Sequence, residues 1–176
     1  MKIAKKDMTQ SILLNHFDYD PLTGYVTWRV KHCSKVIAGM RAGTVCKRSN
    51  HRAIHFAGTV YAEHRLIWMW VYGKFPTKHI DHINHNELDN RLGNLREVSQ
   101  AENNLNNSKR RDNKTGVTGV WYNTANKYKR YMAELHINKK RVYLKAFLTI
   151  DEATKARKKQ EKIYGFHENH GIDKPT

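Results

Sequence analysis

Cysteines, acids and long apolar runs are all scarce in this 176-residue chain. Its two cysteines, Cys33 and Cys46, make neither a disulfide framework nor a C-x-x-C pair. A reducing cytoplasm is therefore the default expectation. Zinc held by Cys33 and Cys46 with His32 or His51 is a weaker reading than two ordinary buried or half-exposed thiols, and no structural zinc is expected. The longest strongly apolar run, Leu66 to Tyr72, is far too short to cross a bilayer. The opening stretch MKIAKKDM has no apolar segment of signal-peptide type. Neither a membrane partner nor export is expected.

Acids number 16 against 32 Lys and Arg, a formal net charge of +16. The excess is segmental. Residues 1–64 carry ten basic and four acidic side chains, residues 65–107 five of each, and residues 108–165 sixteen and five. A neutral centre between two basic flanks suits a protein whose flanks neutralise phosphates and whose centre does something else. A basic chain that merely stays soluble does not call for such segregation.

Local patterns give an α+β, modular chain. A short helix is expected over Gln10–Phe17, turns at Asp20-Pro21 and Thr23-Gly24, and a strand over Tyr25–Trp28. Arg52 to Ala62 reads as a hairpin turning at Ala57-Gly58. The basic residues Arg41, Lys47, Arg48 and Arg52 make either a phosphate-contacting rim or an ordinary solvated face. Glu63–Tyr72 reads as a helix ended by Gly73 and Pro76, with Trp68, Met69 and Trp70 as core. After a polar, basic link (Asn107 to Lys114), strands are expected at Gly119–Tyr122, Tyr131–Ile137 and Arg141–Leu148, with a turn at Lys139-Lys140. Thr149 and Glu152 form a capping box that opens a last helix, ended by Gly165. Ala153, Ala156, Gln160 and Ile163 are its expected inner stripe, with Lys155, Lys158, Lys159 and Lys162 outside.

Residues 81–103, DHINHNELDNRLGNLREVSQAEN, hold the chemistry. A carboxylate beside an imidazole, an Asn-rich loop, a short strand (Leu95 to Val98) and a helix expected from Gln100 after the Ser99/Glu102 capping box make one strand-loop-strand-helix unit. That unit can gather oxygen ligands from Asp81 and Asn103 with the His82 imidazole. Such a set holds a hard divalent cation, Mg²⁺ or Mn²⁺, and deprotonates a water. Adjacent strand residues point to opposite sides, so the strand must bend or end at His82. Asn94 is expected to hold the loop by side-chain to backbone hydrogen bonds and so orient His82. His79 and His85 lie nearby as substrate contacts, second bases or bystanders.

This segment resembles the ββα-metal core of HNH nucleases, in the subgroup found in phage homing endonucleases. The resemblance rests on His64-Arg65-Leu66, Asp81-His82, Asn90-Arg91, Asn94-Leu95-Arg96, Glu102-Asn103 and Asn106. The subgroup usually has a Gly shortly after the Asp-His pair, where this chain has His85. DPLTGYVTW (20–28) is similar to the N-terminal module of such enzymes. TGVTGVWYN, YMAEL and RVYLKAF (within 115–147) look like an Apetala-type DNA-binding domain, with Tyr131 where that family often has Trp and Lys145 where it often has Gly.

The resemblance implies an N-terminal DNA-contacting module (1–62), a nuclease core (63–107), a linker (108–114), a DNA-binding domain (115–166) and a tail (167–176). It implies metal-dependent cleavage of double-stranded DNA by a monomer, in a bacterial host cytoplasm if the gene is phage-borne. Catalysis would rest on Asp81, His82, Asn94 and Asn103. An exposed sheet face entering the major groove nominates Trp121, Arg130, Met132, His136, Arg141 and Tyr143, with Lys145 as a phosphate contact. Arg65 is either a further phosphate contact or half of a structural salt bridge. The rival functions are a DNA-binding regulator with an inert core, and an RNA-binding protein or ribonuclease.

Overall fold

The computed structural model describes residues 8–109, 112–125, 128 and 130–173. Arg110 and Arg111 of the basic link and all but the last residue of MKIAKKDM lie outside the described residues. The chain divides into two units, Met1–Ser99 and Gln100–Thr176.

In the first unit, Thr9 caps helix α1 (Gln10–His16) by accepting from the Ile12 N–H. Strand β1 (Phe17–Asp20) follows at once and pairs antiparallel with β2 (Tyr25–Trp28). The sequence reading missed β1, because its two acids mask an alternation that turns Phe17 and Tyr19 inward. Strands β3 (Thr44–Val45), β4 (Arg52–Phe56) and β5 (Thr59–Ala62) form a three-stranded antiparallel sheet. The β4–β5 hairpin turns at Ala57-Gly58 as expected, with both residues at positive φ.

Helix α2 spans Glu63–Tyr72 and stops where Gly73 enters the left-handed region and donates to the Met69 carbonyl. Leu66, Ile67 and Met69 are buried, whereas Trp68 and Trp70 are only half-buried. Met69 is in the core and Trp70 packs against that core, so the expectation that all three of Trp68, Met69 and Trp70 are core is corrected at Trp68. The helix buries one stripe, and Trp68 lies outside it with its ring 4.4 Å from that of Tyr72. Strand β6 (His79–His82) pairs antiparallel with β7 (Leu95–Val98), which follows a single 3-10 turn at Leu92–Asn94.

One apolar cluster ties this unit together, running in sequence from Met8 to Leu95 through Leu13, Phe17, Trp28, Ile54, Phe56 and Ile67. Each fully buried large side chain contributes about 1.5–3 kcal/mol of transfer free energy. Residues assigned by sequence to an N-terminal module and to a nuclease core thus share one interior. Cys33 and Cys46 are both exposed, where the sequence suggested buried or half-exposed thiols.

The second unit opens with helix α3 (Gln100–Asn104), beginning where the sequence pattern placed it. A three-stranded antiparallel sheet follows, in the order β10 (Lys140–Phe147), β9 (Tyr131–Ile137), β8 (Val120–Tyr122). The β9–β10 turn is Asn138-Lys139, one residue earlier than expected. Both residues have positive φ, which Asn tolerates better than most residues, and Lys140 already pairs with Ile137. Helix α4 (Ile150–Ile163) starts with the expected capping box between Thr149 and Glu152.

The inner stripe of α4 is Ala153, Arg157 and Glu161, not Ala153, Ala156, Gln160 and Ile163. Ile163 is exposed. Arg157 and Glu161 go inside because they pair with each other at 3.3 Å and Arg157 Nε also donates to the Thr118 carbonyl. A charge pattern hides such a stripe. Lys155, Lys158, Lys159 and Lys162 are exposed as expected.

Candidate active site

Strand β6 ends at His82, so Asp81 and His82 need not diverge as mid-strand neighbours would. Both are buried. The chain then turns sharply: the His85 N–H donates to the His82 carbonyl, and His85 adopts φ 62°. This is the left-handed conformation a glycine takes most easily, and His tolerates it better than most side chains. His85 therefore occupies a turn position that a glycine would fill with less strain. His79 is exposed at the start of the strand.

The loop from 83 to 94 is built by asparagine side chains acting as backbone. Asn94 Oδ1 accepts from the Asn84 N–H at 3.0 Å and its Nδ2 donates to the Asp89 carbonyl at 2.8 Å. Asn84 and Asn86 close turns onto the N–H groups of Asn86 and Leu88. Asn94 thus clamps the loop, as the sequence suggested. The residue that touches the imidazole is a different one. His82 Nε2 lies 2.9 Å from Asn90 Oδ1.

Asn90 is itself fixed from three sides. Its Nδ2 donates to Glu63 Oε2 at 2.6 Å, and its carbonyl accepts from the Tyr19 hydroxyl at 3.1 Å. The β1–β2 turn presses on its backbone: a Cβ at Gly24 would sit 2.6 Å from the Asn90 carbonyl carbon and 2.5 Å from the Arg91 nitrogen. Glu63, fully buried, is forked by Arg41, whose Nη1 and Nη2 donate to Oε1 and Oε2. Arg41 also donates to the Val26 carbonyl at 2.7 Å and lies 4.3 Å over the Tyr25 ring. Sequence reasoning named Asn90 only as part of a motif and gave Glu63 no role. An acid at a helix start looks like an ordinary dipole partner, and its function here is visible only once Arg41 and Asn90 converge on it.

Asp81 Oδ2 accepts from Arg96 Nε and Nη2 at 2.9 and 2.8 Å across the β6–β7 pair. Burial holds the His82 imidazole below its ordinary pKa, with the Asn90 hydrogen bond pulling the other way. His82 is consequently neutral at pH 7 to 8 and able to accept a proton. The ring centroids of His51 and His64 lie 5.4 and 5.2 Å from that of His82. Burial first, then the neighbouring His82, His51 and Arg65, depresses His64 to about 3.

Among the described residues, no three His, Cys, Asp or Glu side chains converge as a closed metal cage. A Mg²⁺-type site does not need one, since such ions keep waters and bind substrate phosphate alongside one or two protein oxygens. The Asp81 carboxylate beside a neutral imidazole fits that chemistry. Asn103, the second expected ligand, lies half-buried in α3 of the second unit. Arg65 Nη2 donates to the Pro76 carbonyl at 3.2 Å, a contact with backbone and not with an acid.

The expected DNA-contacting residues divide between the two faces of the C-terminal sheet. Trp121 pairs with Met132 and Arg141 with His136, and all four lie on the face away from Ala133 and Leu135. A bulge at Val142 then reverses the alternation of β10. Tyr143 pairs with Leu135, and Lys145 with Ala133, on the α4 side. Tyr143 packs against the small core of Val120, Ala133 and Ala153, which corrects its expected place on the open face. Lys145 remains exposed at the edge strand. Arg130, just before β9, is exposed and donates to the Tyr122 hydroxyl at 2.9 Å.

The HNH endonuclease family model matches residues 61–105. The segment that holds α2, the Asp81-His82 strand and the asparagine loop is therefore similar to an HNH endonuclease domain, which suggests nucleic-acid endonuclease activity. No curated protein and no solved structure matches the chain. No helix among the described residues is long and apolar enough to cross a membrane.

Proposed function

We propose that this protein is a divalent-metal-dependent endonuclease that hydrolyses phosphodiester bonds in double-stranded DNA at a specific, long site, in the manner of a homing endonuclease. The observation that carries this reading is a neutral, buried His82 at the end of β6, beside Asp81 and held by Asn90. Asp81 and Asn103 would hold Mg²⁺ or Mn²⁺, which when bound neutralises phosphoryl oxygens and steadies the leaving group. His82 takes the proton from water as its oxygen bonds to phosphorus, the bond to the 3′ oxygen breaks, and that oxygen gains a proton from solvent. Asn94 keeps the loop closed so that the imidazole cannot swing away.

Recognition falls to the second unit. Residues 108–165 carry sixteen basic and five acidic side chains. The open sheet face offers Trp121, Met132, His136 and Arg141, with Arg130 at its margin and Lys145 at its edge. Arg141 is suited to bidentate reading of a base edge, while most of the other cations contact phosphate and add affinity without sequence information. Arg65 is assigned a phosphate contact beside the nuclease core.

The test is cleavage of duplex DNA containing the sequence around the gene, with Mg²⁺ or Mn²⁺ and with a chelator. Strand breaks that need the metal are expected. Full activity in the chelator refutes the metal mechanism, and tight DNA binding without any strand break favours the regulator with an inert core. Preferential cutting of RNA would favour a ribonuclease.

A further inference from the structure

The proton inventory along Arg41, Glu63, Asn90 and His82 permits one arrangement. Arg41 has only donors to offer, and it faces both oxygens of the fully buried Glu63 carboxylate. A carboxylate so held accepts from every neighbour, so the Asn90 atom 2.6 Å from Glu63 Oε2 must be the amide nitrogen. That fixes the amide flip and turns Oδ1, an acceptor, toward His82 Nε2 at 2.9 Å. An acceptor at that distance requires a proton on Nε2.

Resting on the nuclease reading above, we propose that Glu63 and Arg41 are positioning residues that set the tautomer of the catalytic base. They act through Asn90 to keep the His82 proton on Nε2 and the basic lone pair on Nδ1. A neutral imidazole has one donor and one acceptor nitrogen, and which is which follows from the hydrogen bond the other makes. Here the choice is made at an ion pair between half-buried Arg41 and fully buried Glu63, reached from the ring through Asn90. It also involves residues outside the Asp-His motif: Arg41 precedes β3 and Glu63 opens α2.

The experiment uses the full-length chain with ¹⁵N-labelled histidine, in chelator at pH 8, where the His82 signals are assigned by their loss in His82→Gln. The wild-type ring should show a protonated Nε2 and a lone-pair Nδ1. In Glu63→Gln the new amide has one oxygen and one NH₂. Arg41 draws the oxygen, the NH₂ faces Asn90, and the Asn90 amide turns over, moving the ring proton to Nδ1. Single-turnover cleavage should fall about 10- to 100-fold, with DNA affinity unchanged within twofold. Because Glu63→Gln leaves Arg41 with a lone charge that weakens the fold, Arg41→Gln/Glu63→Gln is made in parallel, and a mixture of tautomers is expected there. Retention of the single Nε2–H form and of wild-type turnover in either folded variant overturns the proposal. The nitrogen spectra decide the tautomer even if the wild type cuts no DNA, so failure of the nuclease reading is a separate result.

Discussion

The loop around His82 and the open sheet face of the second unit use polar side chains in opposite ways. Around His82, Glu63, Asn90 and Asn94 are buried, and each is fixed by hydrogen bonds to groups that are themselves fixed. On the sheet, Trp121, His136 and Arg141 are exposed, over a core whose buried members are Val120, Ala133 and Ala153. A proton transfer needs its atoms within tenths of an ångström, and a saturated buried network supplies that at the cost of desolvation. A phosphate backbone is met by charge density, which tolerates mobile side chains. On the proposed reading, rigidity is thus concentrated where bonds would change, and charge where the substrate would be gathered.

The sharpest way to break this contrast is His82→Ala. Cleavage at pH 7 to 8 should fall by at least about 10²-fold, the scale of a lost general base, while binding to the same DNA survives. Near-normal cleavage would move the base to another histidine, with the His51 and His64 rings 5.4 and 5.2 Å from that of His82.

Gly24→Ala strikes the same loop from outside the motif. A methyl group there meets the Asn90 and Arg91 backbone at 2.5–2.6 Å in a turn with φ 74°, so a loss on the order of 1–3 kcal/mol of stability is expected. Thermal unfolding measures it, and an unchanged melting temperature would show that the β1–β2 turn does not brace Asn90.

Acid should loosen the same unit. His64 titrates near 3 when folded against about 6.5 when unfolded. Between those values the unfolded chain binds the extra proton, so stability is lost as pH falls through 6.5 and regained as it rises. From pH 7 to pH 5 this amounts to about 2 kcal/mol. Urea unfolding at the two pH values should show it, with a flatter response in His64→Gln. Equal slopes in the two proteins would place the titration elsewhere.

On the sheet the expected effects fall on binding alone. Arg141→Ala should weaken DNA binding by about 1–3 kcal/mol if it reads a base edge, with turnover at saturation unchanged. Tyr143→Phe, on the other face, should leave affinity unaltered. A Tyr143→Phe defect as large as that of Arg141→Ala would mean that the bulge at Val142 does not separate them.

How much of this was legible in the sequence follows from where each interaction closes. Helix α2 was readable from Glu63 to Gly73 because its stop signal is local, and the Thr149 capping box was readable for the same reason. The strand end at His82 followed from a motif with a narrow range of geometries. Asn90 was not distinguishable from its neighbours, since every asparagine in the loop is an equally good turn former on paper. Glu63 was opaque because its partners lie 22 and 27 positions away, at Arg41 and Asn90. The bulge at Val142 shifts one residue and thereby moves Tyr143 across the sheet, an event with no signature in an alternation of apolar and polar letters. The inner stripe of α4 was misread because Arg157 and Glu161 neutralise each other inside, where a pattern of charges predicts surface.

The single interior that runs from Met8 to Leu95 also governs how this protein can be cut and rejoined. A gene segment encoding only residues 61–105 would carry the reactive letters without Phe17, Trp28 or Ile54 to pack beneath them, and without Arg41 and Tyr19 to steady the loop. On the proposed reading, transplanting the cutting activity onto another DNA-binding module therefore means moving residues 1–107 as one piece, so that Asn103 travels with Asp81. Exchange of the C-terminal module is best attempted after Asn107, and a graft that begins at Glu63 should express as an open, protease-sensitive chain.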